Sequence, residues 1–167
     1  MQVELVRHST EGAGWRLLAV AGLVLANAFF VAAEFALVGA RRSRIDEMAQ
    51  AGDRKAKAAQ AAIQHLDRYI SATQLGITLA SLALGWIGEP ALAGLIAAGF
   101  EKLGARVSES IAETSAAVTV AFIIITFLHI VVGELAPKTM AIRYPERVGL
   151  WTATPLYGFY WLMYPII

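Results

Sequence analysis

The chain has 167 residues, of which 57% are hydrophobic and 16% charged, with no cysteine and a formal net charge of +1. That balance is too apolar for an ordinary soluble domain and places the sequence with membrane proteins. The missing cysteines exclude a disulfide framework and a thiolate metal site, and the near-zero charge gives no whole-chain argument for nucleic-acid binding.

Residues 1–16 read as a polar, mixed-charge tail on the extracytoplasmic side. The apolar run behind it is too long for a signal-peptide core and lacks a cleavage site, so it stays as a span. Leu17 to Ala40 is that first span, of about the twenty residues that a bilayer crossing requires. Only Asn27 and Glu34 interrupt it, on one face, beside a stripe of small residues at Ala28, Ala32, Ala36 and Ala40 that would let helices approach closely. Asn27 reads as an interhelical hydrogen-bonding group that holds the bundle together. Glu34 reads as a side chain with a structural partner.

Arg41, Arg42 and Arg44 close the span, and the connection to Arg68 is the most basic in the chain. The positive-inside rule puts it in the cytoplasm and the N-terminus outside. Ile45, Met48, Ala49, Ala56, Ala59, Ile63 and Leu66 recur near a helical period. One or two short amphipathic helices, lying against the membrane surface or the bundle, are expected there, with their charges solvated or facing anionic lipid.

Ile70 to Gly88 is the second span, with Ala72, Gly76 and Ala80 as another small stripe and Gln74, Thr78 and Ser81 as its polar members. Hydroxyls in membrane helices commonly bond their own backbone, the alternative role for Thr78 and Ser81. Gly88-Glu89-Pro90 is expected to break the helix. Ala91 to Leu103 then reads as a half-depth or interfacial helix, turning through Gly104 into a polar stretch around Ser108 to Glu113.

The third span, about Thr114 to Val132, runs into Gly133-Glu134-Leu135-Ala136-Pro137-Lys138. A carboxylate, a proline and a lysine at the end of a membrane-length segment mark an ion or proton path, or an interfacial Glu134–Lys138 pair one turn apart. Pro137 has no amide hydrogen to give, so carbonyls near Gly133 can be left free to act as ligands. His129 reads as a hydrogen-bonding neighbour, or as a proton or metal group.

Val148 to Ile167 holds Pro155 and Pro165 and is crowded with Trp and Tyr, which collect at the headgroup level. A kinked interfacial belt helix is expected rather than a fourth span. The expected fold is therefore an all-α membrane protein of three transmembrane helices, short interfacial helices and a juxtamembrane belt helix. The chain stops within an apolar run, which suggests a domain of a longer protein.

Several stretches occur together and in order: Asn27-Ala28-Phe29-Phe30, Ala33-Glu34-Phe35-Ala36-Leu37, Arg41-Arg42-Ser43-Arg44, Gln74-Leu75-Gly76-Ile77-Thr78-Leu79-Ala80-Ser81 and the Gly133 to Lys138 motif. With them, residues 17–167 resemble the transmembrane module of the CorC/CNNM family, the hemolysin-like magnesium transporters. The resemblance implies a homodimer formed through the transmembrane helices in the inner or plasma membrane, with the lipid bilayer as its other partner. It also implies a cytoplasmic CBS pair that binds ATP and lies outside this chain. It implies a largely dehydrated Mg2+ between the helices, and the matching positions are Asn27, Ser81 and Glu134, with Thr78 and the Gly133 carbonyl as lesser ligands. Val31, Ile77 and Ser81 depart from the small hydroxyl and asparagine residues that many members carry.

Two functions follow as expectations. One is a magnesium exporter, coupled to sodium entry. The alternative is a membrane-anchoring dimerisation scaffold regulated by nucleotide-binding domains absent from this chain. No nucleophile, base and orienting group stand at plausible spacing, so no enzyme is expected.

Overall fold

The computed structural model describes the backbone of residues 2–102 and 111–166, and the side chains of residues 14–88, 90–92 and 118–166. The described residues form seven α-helices and one π-helical segment: α1 (Gln2–Gly39), α2 (Arg42–Gln50), α3 (Arg54–Gln64), α4 (Leu66–Lys102), α5 (Ile111–Leu128), the π segment His129–Leu135, α6 (Ala136–Arg143) and α7 (Pro145–Met163). Three stretches are long and apolar enough to cross a membrane: Gly14–Gly39, Leu66–Leu92 and Val118–Arg143. The fold is that of an all-α membrane protein, as expected.

The first and second spans lie against each other because both offer small residues. Ala33 of α1 and Ala72 of α4 are buried in one core, and Gly76 sits under the ring of Phe30, while Ala32 and Ala36 are buried with Ala141 of α6 and Val148 of α7. The small stripes are thus consumed within the chain. At the arginine-bearing end, α2 and α3 form a tight hairpin. Gly52 takes a left-handed conformation, φ 96°, that non-glycine residues rarely adopt. Its N–H donates to the Ala49 carbonyl, and Asp53 N–H donates to the Met48 carbonyl, so the end of α2 keeps its bonds. The Asp53 carboxylate then caps α3 by accepting from Lys55 N–H at 2.8 Å and Ala56 N–H at 3.3 Å. Ile45 on α2 and Ala59, Ala62 and Ile63 on α3 enter the same core as Leu37, Tyr69 and Leu156, so the expected amphipathic helices number two and pack on the bundle.

Helix α7 buries Val148, Gly149, Thr152, Ala153, Leu156 and Tyr160 on one face and exposes Trp151, Tyr157 and Trp161 on the other. It is absent from the three candidate spans. Tyr160 stacks on Tyr69 of α4, ring centroids 5.0 Å apart, which ties this belt helix to the second span. Its start is pinned to the end of α1 by the Arg41–Glu146 pair at 3.0 Å.

One expectation is corrected. Gly88-Glu89-Pro90 does not break the second helix, which continues through Pro90 to Lys102. The proline removes one backbone bond. Ala91, immediately beyond it, is buried with Val20, Val24, Leu84 and Ile125, and that packing carries the helix on. A transmembrane helix has little to gain from breaking, since the freed backbone groups would find no water in the bilayer core. Helix α1 runs without a break from Gln2 into the first span. The turn expected around Gly104 and Ser108 lies outside the described residues.

Candidate functional site

Pro137 occupies the first turn of α6 and cannot donate to the carbonyl four residues back, that of Gly133. The chain does not unwind there. It widens into a π-helical segment of 7 residues, in which the Ala136 N–H reaches back to the Val131 carbonyl. Such segments are rare and gather at functional sites.

The Gly133 carbonyl is taken by another helix. Asn27, 1% exposed in the middle of α1, donates from Nδ2 to it at 3.0 Å. Because Nδ2 faces that carbonyl, Oδ1 points the other way, where the Ser81 hydroxyl of α4 donates to it at 3.3 Å. Ser81 Oγ also lies 3.3 Å from His129 Nε2. A hydroxyl has one proton, and with that proton given to Asn27 the second contact calls for the His129 tautomer that carries its hydrogen on Nε2. The result is a directional line from His129 through Ser81 and Asn27 to Gly133, joining all three spans.

Glycine at 133 is a condition of this arrangement. A Cβ there would lie 3.1 Å from His129 Cδ2 and 3.3 Å from Asn27 Nδ2, tighter than ordinary contact.

Of the five expected ligands, Asn27, Ser81 and Gly133 are brought together. Thr78 is exposed, and its hydroxyl donates to the Gln74 carbonyl at 2.8 Å. Glu134 is exposed on the single chain rather than facing the cluster, because it follows Gly133 by roughly a quarter turn of the helix. It does not pair with Lys138, whose ammonium lies over the Phe35 ring, 4.6 Å from the centroid. Glu34 has the structural partner expected for it: Thr73 Oγ1 lies 3.3 Å from its Oε2. Thr73 itself was not singled out from sequence. The antiparallel register that pairs Asn27 with Ser81 also pairs Glu34 with Thr73, and that register was the available signal.

The cluster offers three oxygens from three spans: Asn27 Oδ1, Ser81 Oγ and the Gly133 carbonyl. Among the described residues no group of three or more His, Cys, Asp or Glu side chains gathers to hold a metal. The cluster's oxygens, those of an amide, a hydroxyl and a peptide carbonyl, are all neutral.

The sequence model of the Cyclin M transmembrane N-terminal domain, CNNM, matches residues 17–167. The chain belongs to the CNNM family. Its relatives include two proteins of Bacillus subtilis (strain 168). UPF0053 protein YhdT is 50% identical over 90% of this chain and 32% of its own length. UPF0053 protein YugS is 47% identical over 91% of this chain and 35% of its own. An uncharacterized protein of Mycobacterium tuberculosis (strain ATCC 25618 / H37Rv) is 36% identical over 87% of this chain and 40% of its own length. This CNNM domain thus spans about a third of the length of the first of these relatives. The match begins at Leu17, where the apolar part of α1 begins, and takes in the three spans, the hairpin and α7.

Proposed function

We propose that this CNNM transmembrane domain is the membrane part of a divalent-cation transporter with magnesium as its cargo. The observation that carries the reading is the meeting of Asn27, Ser81 and the Gly133 carbonyl at the π segment. Magnesium takes oxygen ligands in near-octahedral geometry and gives up water reluctantly. Neutral amide, hydroxyl and carbonyl oxygens suit it, and they suit zinc and copper less, since those metals favour imidazole and thiolate.

The hydrogen bonds that now join these groups are the ones a cation would replace. Coordination by the Gly133 carbonyl requires Asn27 Nδ2 to leave it, and the Asn27 amide can then turn its oxygen to the same centre. Glu134, next in the chain, supplies the single formal charge from the outer side of the turn, and Thr78 joins only if its hydroxyl leaves the Gln74 carbonyl. Neutral ligands with one charge hold a divalent ion loosely enough to release it. The working unit in this reading is a homodimer, and the direction is export with sodium entering.

A scaffold is the second reading, and one observation favours it. Among the described residues, no buried side-chain nitrogen or oxygen lacks a partner, so the polar cluster would also serve as glue between spans. The two readings separate on magnesium-dependent thermal stabilisation of the purified chain at matched ionic strength. A ligand that binds only the folded state at a hundredfold excess over its Kd adds about 2.7 kcal/mol. Asn27→Leu and Glu134→Gln should lose most of that increment. Equal increments in wild type and Asn27→Leu would leave the scaffold. Magnesium flux in proteoliposomes, with and without a sodium gradient, tests direction and coupling.

A further inference from the structure

Seven residues along α1 from Asn27, toward Gly39, lies Glu34. At 1.5 Å per residue the offset is roughly 10 Å, so the carboxyl group sits between the Asn27 cluster and the arginine-bearing end, within the first candidate span. Among the described residues its one side-chain hydrogen bond is with Thr73 of α4, Oγ1 to Oε2 at 3.3 Å. Thr73 is fully buried, and its hydroxyl donates at 2.8 Å to the Ile70 carbonyl. One hydroxyl proton shared in this way leaves most of the acceptor capacity of Glu34 unused.

Among the described residues Glu34 has no cationic partner. The two ion pairs, Arg41–Glu146 and Arg44–Glu47, lie beyond the span, and Lys138, against the neighbouring Phe35, is held on its ring. An acidic residue in a spanning segment is expensive and marks a substrate or ion pathway by default. Glu34 is also only partly covered, so it remains reachable. Asn27–Ser81 and Glu34–Thr73 are successive polar rungs of one α1–α4 seam, with buried Val31 between them.

We infer that Glu34 and Thr73 form a second cation station, on the arginine-bearing side of the Asn27 cluster, that takes a hard cation, Na+ or Mg2+, through the Glu34 carboxylate and the Thr73 hydroxyl. The inference rests on the transport reading above and adds a waypoint to it. A sodium ion there would be the counter-transported ion. A magnesium ion would be cargo on its way to or from Asn27.

The test is thermal stabilisation of the purified chain by NaCl and by MgCl2 in separate titrations, against choline chloride at matched ionic strength, for wild type, Glu34→Gln, Glu34→Asp, Thr73→Val and Asn27→Leu. Each variant is read against its own baseline. Glu34→Gln should raise the half-stabilising concentration of one of the two cations by about ten- to a hundredfold, the effect of losing a charged ligand. Glu34→Asp should recover part of that response, and Thr73→Val should weaken it less than Glu34→Gln does. The salt that loses its effect identifies the occupant.

Wild-type responses to both salts in Glu34→Gln overturn the second station, whatever its baseline melting temperature. If Asn27→Leu abolishes the magnesium response at the same time, the transport reading survives alone. No response of wild type to either salt beyond choline overturns both. If Glu34→Gln does not fold, a Glu34→Asp response identical to wild type together with an unchanged Thr73→Val overturns the station, and a weakened response in both supports it.

Discussion

Gly76 and Phe30 occupy one another's space so closely that a Cβ built on the glycine would lie 2.6 Å from three atoms of the ring. Phe30 has little room to retreat, since its ring already meets Phe159 at 4.6 Å and Phe29 at 5.2 Å between centroids. Gly76, in the small-residue stripe of the second span, is thus an internal joint between α1 and α4. Gly76→Ala should destabilise the chain by about 1–3 kcal/mol, the usual cost of overpacking. Phe30→Leu in the same molecule should recover part of the loss, a coupling that a double-mutant cycle of melting temperatures measures. Simple additivity of the two would place Gly76 elsewhere.

Gly133→Ala tests the cluster from its backbone side. The added methyl must displace the His129 ring or the Asn27 amide, at 3.1 and 3.3 Å. The expected outcome is a loss of the magnesium increment comparable to that of Asn27→Leu, with a smaller fall in baseline stability.

Ser81 and Thr78, one turn apart on α4, should part company. Ser81 joins helices through Asn27, so Ser81→Ala should cost about 1 kcal/mol or more by leaving Asn27 Oδ1 without its donor. Thr78 spends its hydroxyl on its own helix, and Thr78→Val should melt within about 0.5 kcal/mol of wild type.

Arg41 and Glu146 give the fold a pH dependence with a defined sign. The hydrogen bond from the Arg41 guanidinium holds the Glu146 carboxyl below its ordinary value of 4.5. A carboxylate depressed in the folded state stabilises at pH values above the unfolded pKa, and that contribution is lost as pH falls through the folded one. Arg41 is largely exposed, 78% at its side chain, so the pair should contribute only about 0.2–1 kcal/mol near neutrality. Glu146→Gln should therefore melt slightly below wild type at pH 7. The two curves should converge in acid below the carboxylate range, and a gap that persists there would assign the difference to packing.

Orientation is tested by chemical labelling. Ala51→Cys, at the exposed turn between α2 and α3, should resist a membrane-impermeant maleimide in intact cells, and Ser9→Cys should react. The reverse pattern would invert the topology that the arginine distribution predicts.

Where hydropathy and local chemistry decide the outcome, the sequence was legible. The three spans, the amphipathic helices between the first two and the aromatic face of α7 all follow from patterns within single segments. The loss of a backbone donor at Pro137 also pointed to the carbonyls near Gly133, and the one at Gly133 accepts from Asn27. Long-range pairing was harder to read. That Asn27 claims this carbonyl, and that His129 completes the line through Ser81, depends on how three helices are rotated against one another. Pro90 misled for a related reason: its local cost is real, but Ala91 packs against the first and third spans and the helix goes on. The exposure of Glu134 on the single chain follows from the same rotation, which brings Gly133 to Asn27 and carries its neighbour round to the surface.

The π segment gives the third span an adjustable phase. Bonding from residue i to i+5 places about one extra residue in each turn relative to an α-helix. Should that surplus slide along the chain, the segment it passes would turn by about 100° while the count of backbone bonds stays nearly constant. The bond from Asn27 to Gly133 acts as the detent that holds one phase, and α6, with Lys138 resting on Phe35, is the pointer that would swing if it were released. A cation competing for the Gly133 carbonyl would then do more than occupy a site: it would re-aim the far end of the helix. Faster amide hydrogen exchange across residues 129–135 in Asn27→Leu than in wild type would reveal that slack, and equal exchange would show a span locked by its own backbone.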